Sequence, residues 1–376
     1  MGDKTNIEWT DETWNPIVGC SVVSPGCTNC YAMKQAARIE MMHEGRHALH
    51  AGDGGVNANA PPTPYAGLTQ ASKAGPVWTG KVAMANDQTL TKPLRWKRGR
   101  RIFVNSMGDL FHESVPDAWI DRVFAVMALA PQHTFICLTK RAKRMREWAH
   151  YSRRGGVIFS MLDVIDERKE GGHKQAVETP WPLPNVVLGV SAEDQPRADE
   201  RIPDLLATPA AKRIVSIEPM LGPIELSRFV SSSPLFGIDE NRKTYVIEEG
   251  RGLDGVILGG ESGPGARPMH PDWARSVRDQ CAAASAPFFF KQWGEFREFD
   301  TGPPPHQEVD NDSESADAIY AAAINPSFVV PDGRHFARIG LPLNTPARLI
   351  ERVGKARAGR LLDGREHNDL PWSGAK

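Results

Sequence analysis

Six short hydrophobic runs, separated by longer polar stretches, most strongly constrain how this 376-residue chain can fold. Each run is nearly continuous in apolar residues, which is typical of parallel strands buried on both faces. An earlier strand is expected before Cys20. The hydrophobic runs predict strands at 101–106, 134–139, 186–191, 213–218, 255–259 and 287–291.

Stretches with helical character lie between these runs. Strands that alternate with helices form a parallel sheet. No G-x-G-x-x-G motif follows the first strand, which favours a barrel over a doubly wound sheet. The predicted fold is therefore α/β: a partial or complete βα (TIM-like) barrel of about six to seven parallel strands, with loop insertions and a C-terminal extension. The predicted helices are 116–130, 142–150, 197–206 and 271–284.

Segments of irregular composition mark interruptions of this pattern. They predict insertions at 44–76, 151–182 and 227–252. Residues 300–317 are rich in Pro and acidic side chains, which is typical of an exposed linker. We therefore expect the barrel to occupy 1–296, and 297–376 to form an acidic linker and a C-terminal extension that packs on the barrel.

The charge balance excludes a general attraction to polyanions, because 45 Lys+Arg stand against 46 Asp+Glu and the net charge is −1. No apolar run approaches the ~18 residues of a membrane-spanning helix, so no membrane role is expected. The N-terminus is polar and acidic, unlike a signal peptide, and we expect a cytoplasmic protein. In a reducing compartment its five cysteines should be thiols or ligands.

Three cysteines, Cys20, Cys27 and Cys30, fall close together in a loop that contains Gly and Pro. Such a loop can direct several thiolates at one point, and an odd number argues against a disulfide pair. A [4Fe–4S] cluster with three protein thiolates keeps one iron open for a substrate or cofactor. We therefore predict that these three residues bind such a cluster.

Other ligand sets remain open. Cys27, Cys30, His43 and His47 have the C-x2-C-x12-H-x3-H spacing of a two-Cys two-His zinc finger. The finger lacks its hydrophobic core, however, and a helical stripe from Tyr31 begins where a finger would still be in its hairpin. A structural zinc held by the three cysteines and one His is a second alternative, and unligated thiols are a third.

Charged residues directly end several of the predicted strands. Active sites of βα barrels lie at the carboxyl ends of the strands, and an unpaired charge there would be costly without a partner or ligand. We predict that Glu218, Glu261 and Lys291 are catalytic.

The Gly-rich turn after strand 255–259 exposes amides that can receive an anionic group. Strand-end residues expected to bind a cofactor are Asp109, Gly259 and Gly260.

Two basic clusters, at 92–101 and 140–146, contain or precede a Trp. Basic side chains interleaved with Trp suit a phosphate backbone with unstacked bases, although a solvated helix face has the same composition. We predict that both clusters line an approach to the barrel mouth. The residues expected to contact nucleic acid are Arg95, Trp96, Arg98, Arg101, Arg141 and Lys143.

Seven segments together resemble a known family: IEWTDETWNPIVGCSVVSPGCTNCYA, VNSMGDLFH, LTKR, SIEPMLGPI, GGESGPGARPMHPDW, FFFKQWGE and GKARAGRLLDGREHNDLP. They resemble the phage protein family named after gene products thirty-seven and sixty-eight, a domain of unknown function. The resemblance runs over nearly the whole chain apart from the insertions. That family is similar to radical S-adenosylmethionine (SAM) enzymes of the spore photoproduct lyase type.

The resemblance implies a cofactor site. In that lyase a Ser, a Lys and a Ser at successive strand ends hold S-adenosyl-L-methionine, which would correspond here to Ser106, Lys140 and Ser191. The common cysteine spacing of these enzymes is C-x3-C-x2-C, and this chain has C-x6-C-x2-C. Val104 stands where the lyase keeps its Cys hydrogen-atom donor, so the resemblance does not imply dimer repair by the same relay.

We therefore expect a radical SAM enzyme that uses a [4Fe–4S] cluster to cleave S-adenosyl-L-methionine to a 5′-deoxyadenosyl radical. The expected substrate is a nucleic acid or nucleotide, which the enzyme would repair or modify. A reductant protein would serve as electron donor, and a phage-encoded chain would work in the host cytosol. The alternative is a zinc-bearing, non-catalytic nucleic-acid-binding protein.

Overall fold

The structure is a computed structural model, and it describes the following residues: 5, 7–50, 63–150, 153–164, 176–231, 235–238, 244–247, 252–299, 326–336 and 347–372. For residues 45–50, 235–238 and 244–247 the backbone alone is described. The predicted linker at 300–317 lies outside these ranges, as do parts of the predicted insertions.

The strands, in chain order, are β1 (Glu12–Trp14), β2 (Ile17–Val18), β3 (Thr69–Ser72), β4 (Gly75–Trp78), β5 (Ala83–Met84), β6 (Arg101–Val104), β7 (Thr134–Thr139), β8 (Val186–Ser191), β9 (Lys212–Ile217), β10 (Leu235–Ile238), β11 (Thr244–Ile247), β12 (Gly255–Gly259), β13 (Phe288–Gln292), β14 (Phe296–Glu298), β15 (Pro326–Val329), β16 (His335–Phe336) and β17 (Arg348–Arg352).

The α-helices are α1 (Tyr31–His50), α2 (Asp87–Leu90), α3 (Asp117–Ala128), α4 (Ala142–Trp148), α5 (Arg154–Val164), α6 (Gln195–Leu206), α7 (Ser227–Val230), α8 (Pro271–Ala283) and α9 (Lys355–Ala358). Short 3₁₀ helices cover Pro25–Cys27 and Lys92–Arg95. In the described part of the chain, no helix combines the length and the apolar character needed to cross a bilayer.

The main sheet has seven strands in the order β1-β6-β7-β8-β9-β12-β13. Its strands run parallel, with register pairs such as Glu12↔Ile102 and Val256↔Phe288. Each later strand joins on the same side of the earlier one, which is the strand order of a βα barrel and not of a doubly wound sheet. The prediction of a partial βα barrel of about seven parallel strands is confirmed.

Strand positions agree closely with the hydrophobic runs. β7, β8 and β12 have the predicted bounds, and the five residues of β12 are all buried. β6 ends earlier than predicted, at Val104, because Asn105 adopts a left-handed conformation with φ 60°. A residue in that conformation cannot continue a strand, so the chain turns at this point.

The helix after the cysteine loop is longer than the sequence indicated. α1 continues to His50, so residues 44–50 are helical rather than part of an irregular insertion. The physical reason is that no Gly or Pro occurs from Arg46 to Ala51, and a single glycine is tolerated inside a helix. The end of the same predicted insertion, 44–76, is also regular: residues 69–78 form the antiparallel hairpin β3–β4, which extends two residues past the predicted bound.

The chain divides into two compact units. Unit 1 comprises residues 1–190 with 207–213, and unit 2 comprises 191–206 with 214–376. Within unit 2, the C-terminal segment forms an antiparallel sheet in the order β14-β17-β15-β16. The predicted boundary between 296 and 297 stays a prediction, since the residues on its C-terminal side from 300 to 325 are not described.

Candidate functional site

The cysteine loop of unit 1 starts from a close approach of two backbones. Gly19 has φ 96°, and a Cβ at this position would lie 2.2 Å from the carbonyl oxygen of Lys81. The Gly19 amide donates to the carbonyl of Met107 at 3.1 Å, and Gly19 and Gly108 form a parallel bridge. Glycine is therefore needed here, and the contact fixes the start of the loop beside the carboxyl end of β6.

Asp109 connects the carboxyl ends of β6 and β7. Its Oδ1 accepts hydrogen bonds from the Thr139 hydroxyl at 2.7 Å and the Phe111 amide at 3.0 Å. Its Oδ2 accepts from the Lys140 amide and from Arg141 Nη1, both at 3.1 Å. The protein itself thus occupies both oxygens of this buried carboxylate. The structure gives Asp109 a positioning role instead of the cofactor contact that its strand-end position indicated.

Arg141 directs its donors at the cysteine loop. Nη1 lies 3.3 Å from Cys20 Sγ, and Nη2 donates to the Ser21 hydroxyl at 2.6 Å. Nε donates to Glu113 at 3.3 Å. The predicted nucleic-acid contact by Arg141 must be corrected, because the residue is only 7% exposed and pairs with Asp109. A basic run in the sequence does not show which of its members turns inward.

Ser21 and His112 were not predicted as site residues, although both belong to this cluster. The Ser114 amide donates to His112 Nδ1 at 3.1 Å, which leaves the proton of the neutral ring on Nε2. Nε2 then donates to the Ser21 hydroxyl at 3.0 Å. Burial, followed by the charge of Arg141, lowers the pKa of His112 and favours this neutral form. Only the position of Ser21 beside Cys20 hinted at its role.

Two of the three thiols of the loop share a hydrophobic neighbourhood. Cys20 and Cys30 pack against the same buried hydrophobic cluster, which includes Met33. Burial raises the pKa of Cys20 to about 12, and the charge of Asp109 adds to this rise. Burial also raises the pKa of Cys30, and the neighbouring charge of Cys27 acts in the same direction. The raised pKa values favour the protonated thiols of Cys20 and Cys30 at neutral pH unless a ligand replaces their protons.

The helix geometry bears on the choice of ligands. α1 begins at Tyr31, so His43 stands twelve residues along it, about 18 Å from the helix start at a rise of about 1.5 Å per residue. The helix therefore keeps His43 far from Cys27 and Cys30. In a two-Cys two-His finger all four side chains must reach the same zinc ion, so this arrangement is incompatible with such a finger. The apolar stripe from Tyr31 correctly predicted a helix at this place, whereas the finger-like spacing of Cys and His did not predict the structure.

The three thiols are the right type of ligand for an iron–sulfur cluster, but the structure does not gather their sulfur atoms at one point. All five cysteines are free thiols, and Cys20, Cys27 and Cys30 lie on one loop. Within the residues that the structure describes, no group of three or more His, Cys, Asp or Glu side chains is assembled for a metal ion. Three thiols and no fourth protein ligand are the set that leaves one iron open.

Two further predicted cofactor residues lie beside this loop. The Ser106 hydroxyl donates to Asn15 Oδ1 at 3.1 Å, and the Ser106 carbonyl accepts from the Tyr31 hydroxyl at 2.7 Å. The Lys140 amide donates to Asp109 Oδ2 at 3.1 Å, and the charge of Lys140 lowers the pKa of Cys30 against the larger effect of burial. The structure thus brings Ser106 and Lys140 together with the cysteine loop in unit 1.

Unit 2 contains a second polar cluster, formed by the predicted catalytic pair. Lys291 Nζ lies 2.8 Å from Glu218 Oε1, and both side chains are largely buried. The Ser216 hydroxyl donates to the other carboxylate oxygen at 3.2 Å. A Cβ on Gly259 would lie 2.9 Å from Glu218 Oε1, so glycine leaves the space in which the pair meets.

The third predicted catalytic residue, Glu261, is held separately by Arg267. The Arg267 Nε and Nη2 groups donate to its two oxygens at 2.8 Å and 2.6 Å, and the Arg267 amide donates as well at 2.8 Å. Gly260 approaches a backbone so closely that a Cβ would lie 1.9 Å from the Trp293 carbonyl oxygen.

Ser191, the remaining predicted cofactor residue, is half-buried at the end of β8. Its carbonyl accepts from Arg201 Nη1 at 2.7 Å.

The two basic clusters stand at opposite edges of the sheet. Residues 92–101 precede or begin β6 and so lie at its amino end, while 140–146 follow β7 at its carboxyl end. The expectation that both clusters line the barrel mouth must be corrected, because β7 (Thr134–Thr139), whose first residue pairs with Arg101, spans about 17 Å between the two clusters. Active sites of βα barrels lie at the carboxyl edge, to which only the second cluster belongs.

The predicted nucleic-acid residues of the first cluster are mostly engaged within the protein. Arg101 pairs with Asp11 at 2.7 Å, and Arg95 donates to the Gln88 carbonyl at 2.6 Å. The Arg100 guanidinium lies 4.7 Å from the Trp96 ring centroid. The remaining two predicted contacts are exposed side chains: Arg98 in this cluster and Lys143 in the other.

The fold and this loop define a βα-barrel-type protein with a thiol-rich site at the carboxyl ends of its strands. The profile of a family described as a protein of unknown function (DUF5131) matches residues 4–371, so the chain belongs to that family. No curated protein and no solved structure matches the chain.

Proposed function

We propose that the protein is a radical SAM enzyme in which Cys20, Cys27 and Cys30 hold a [4Fe–4S] cluster. The observation that supports this most is the position of three free thiols on one loop at the carboxyl edge of β1 and β6. When bound, such a cluster supplies the electron that cleaves SAM to methionine and a 5′-deoxyadenosyl radical, which takes a hydrogen atom from the substrate.

The residues around the loop suit binding of SAM. Lys140 offers an ammonium group near Cys30, and Ser106 offers a hydroxyl at the neighbouring strand end. A carboxylate ligand is well matched to an ammonium donor, and such charge-assisted hydrogen bonds are the stronger ones. In unit 2 we retain Ser191 as a further cofactor residue, and Glu218, Glu261 and Lys291 as candidate catalytic groups.

The proposed substrate is a nucleic acid or nucleotide. Its support in the structure is the basic cluster that follows β7, in which Lys143 is exposed on the first turn of α4. Ammonium groups at that edge can pair with phosphates near the cysteine loop. A reductant protein would deliver the electron that SAM cleavage consumes.

Anaerobic reconstitution with iron and sulfide tests the cluster assignment. The wild type should turn brown, absorb near ~400 nm and release 5′-deoxyadenosine when SAM and a strong reductant are added. Cys20→Ala, Cys27→Ala and Cys30→Ala should each lose iron and sulfide. Cys137→Ala and Cys281→Ala are matched controls, because these thiols are buried elsewhere and should leave the cluster intact.

The same preparation distinguishes the rival. A colourless protein that holds about one zinc through the same cysteines, and releases no 5′-deoxyadenosine, would reject the radical SAM proposal in favour of a non-catalytic zinc protein. A brown protein that binds iron but does not cleave SAM would retain the cluster and reject the SAM chemistry.

A further inference from the structure

The first cysteine of the loop is held by different elements from the other two. Cys20 follows Gly19, which is bridged to Gly108 at the carboxyl end of β6. Cys27 ends the 3₁₀ turn, and Cys30 directly precedes α1. Since six residues separate Cys20 from Cys27, the local turn that orients the last two thiols does not orient the first. Within the loop the Cys20 thiol donates to the carbonyl of the adjacent Ser21 at 3.5 Å, a long contact that leaves room for a group outside the loop to set the direction of the side chain.

Arg141 is the side chain that contacts Cys20 from outside the loop. Its Nη1 lies 3.3 Å from Cys20 Sγ and 3.1 Å from Asp109 Oδ2, so one end of the guanidinium joins the thiol to the carboxyl end of β6. Its Nη2 donates to the Ser21 hydroxyl at 2.6 Å and lies 3.3 Å from the Ser21 carbonyl. The thiol and the next residue are thus held by one rigid, planar group.

The rest of the network fixes Arg141 in turn. Asp109 is anchored by Thr139 and by the Lys140 amide, and Glu113 accepts from Arg141 Nε at 3.3 Å. His112 holds the Ser21 hydroxyl from another side at 3.0 Å. Every nitrogen of the guanidinium has a partner, and none of these partners belongs to the segment 22–30.

We propose that Arg141 is a positioning residue that orients Cys20 as a cluster ligand. This inference rests on the proposed function. Its physical basis is that a planar fork holds a sulfur and a carboxylate in fixed relative directions, whereas the three donors of an ammonium group rotate at the end of a flexible stem. Arg141 thereby orients Cys20, which lies too far along the chain from Cys27 to be oriented by the local turn.

A purely structural role makes a different prediction. If Arg141 served only to neutralise buried Asp109, then Arg141→Lys would keep the charge and preserve both fold and cluster. The double variant Arg141→Met/Asp109→Asn removes both charges, so it leaves no uncompensated buried ion and should fold even where Arg141→Met does not. Lys143→Met is a matched control, because Lys143 is a neighbouring exposed cation.

The experiment measures iron and acid-labile sulfide per chain after anaerobic reconstitution, with circular dichroism and the melting temperature as checks on the fold. We expect Arg141→Lys and Arg141→Met/Asp109→Asn to melt near the wild type and to hold at least twofold less iron per chain. Lys143→Met should load as much iron as the wild type. Full loading of Arg141→Lys and of the double variant would overturn the inference about Arg141 and leave the proposed function standing. A wild type that takes up no cluster would overturn the proposed function and this inference with it.

Discussion

Lys291 places its Nζ 2.8 Å from Oε1 of Glu218, although the strands that carry or precede these residues are separated by β12. The pair forms across the end of that middle strand because Gly259 has no side chain there. Two charged strand-end residues, one from each side, are thereby brought into contact. This arrangement allows the roles of neighbouring glycines to be tested separately.

Gly259 and Gly260 should respond differently to alanine. A Cβ on Gly260 would meet the backbone carbonyl oxygen of Trp293 at 1.9 Å, and backbone cannot move aside cheaply. We expect Gly260→Ala to lower the free energy of unfolding by about 3 kcal/mol, at the upper end for overpacking. In Gly259→Ala the one contact shorter than 3.0 Å is with Oε1 of the flexible Glu218 side chain, at 2.9 Å, and the loss should be about 1 kcal/mol or less. Urea unfolding measures both, and equal losses would contradict this interpretation.

The Glu218–Lys291 pair should show coupling in a double-mutant cycle. Lys291→Met removes the cation from a largely buried carboxylate, and we expect a loss of about 1–3 kcal/mol in unfolding free energy. Glu218→Gln with Lys291→Met should recover much of that loss, because the double variant leaves no unmatched charge. Strictly additive losses in chemical denaturation would show that the two groups do not interact in solution.

The sequence predicted the sheet better than the site, for a physical reason. Two-sided burial leaves a continuous apolar run, so β7, β8 and β12 could be read directly from composition. Arg141 could not be assigned, because a basic run has the same composition whether a member faces solvent or is buried beside Asp109. Contacts such as that of His112 with Ser21 join residues far apart in the chain, and no local pattern encodes them.

Lys140 should contribute to SAM affinity once a cluster is bound. We expect Lys140→Ala to weaken SAM binding by about 1–3 kcal/mol, the scale of a hydrogen bond to a charged group, which is roughly a 5- to 150-fold rise in Kd. Calorimetry on the cluster-loaded protein measures this. Lys143→Ala is the control, because Lys143 is an exposed cation of the same basic cluster. Unchanged affinity in Lys140→Ala, with the cluster intact, would exclude this residue from the cofactor site.

The two basic clusters can be separated by the salt dependence of nucleic-acid binding. Removing a side chain that neutralises one phosphate reduces the slope of log affinity against log salt by roughly one. We expect Lys143→Gln to reduce the slope, since Lys143 lies at the carboxyl edge of the sheet, and Arg98→Gln, at the amino edge, to leave it unchanged. The measurement is a titration of labelled single- and double-stranded DNA and RNA from ~50 mM salt upward. No binding under these conditions would reject a nucleic-acid substrate, and the reverse order of effects would place the interface at the amino edge.

Acid should destabilise the fold through His270, which caps α8. Its Nδ1 accepts from the Asp272 amide at 3.2 Å, and burial lowers the pKa of His270 from 6.5 to about 4 against the opposing charge of Asp272. Above pH 6.5 the ring is neutral in both states and the stability is fully present. Between pH 6.5 and about 4 the unfolded chain binds a proton that the folded chain does not, so the free energy of unfolding falls as the pH falls, by roughly 3 kcal/mol at most.

His270→Asn isolates this effect. Asn keeps an oxygen acceptor suited to a helix N-cap and removes the titrating ring, so the variant should lose less stability between pH 6.5 and about 4 than the wild type does. His335→Asn is the control, because it makes the same substitution at an exposed histidine outside α8. Urea unfolding at several pH values provides the curves. If the wild type and His270→Asn lost stability in parallel over this range, proton uptake by His270 on unfolding would not be the cause.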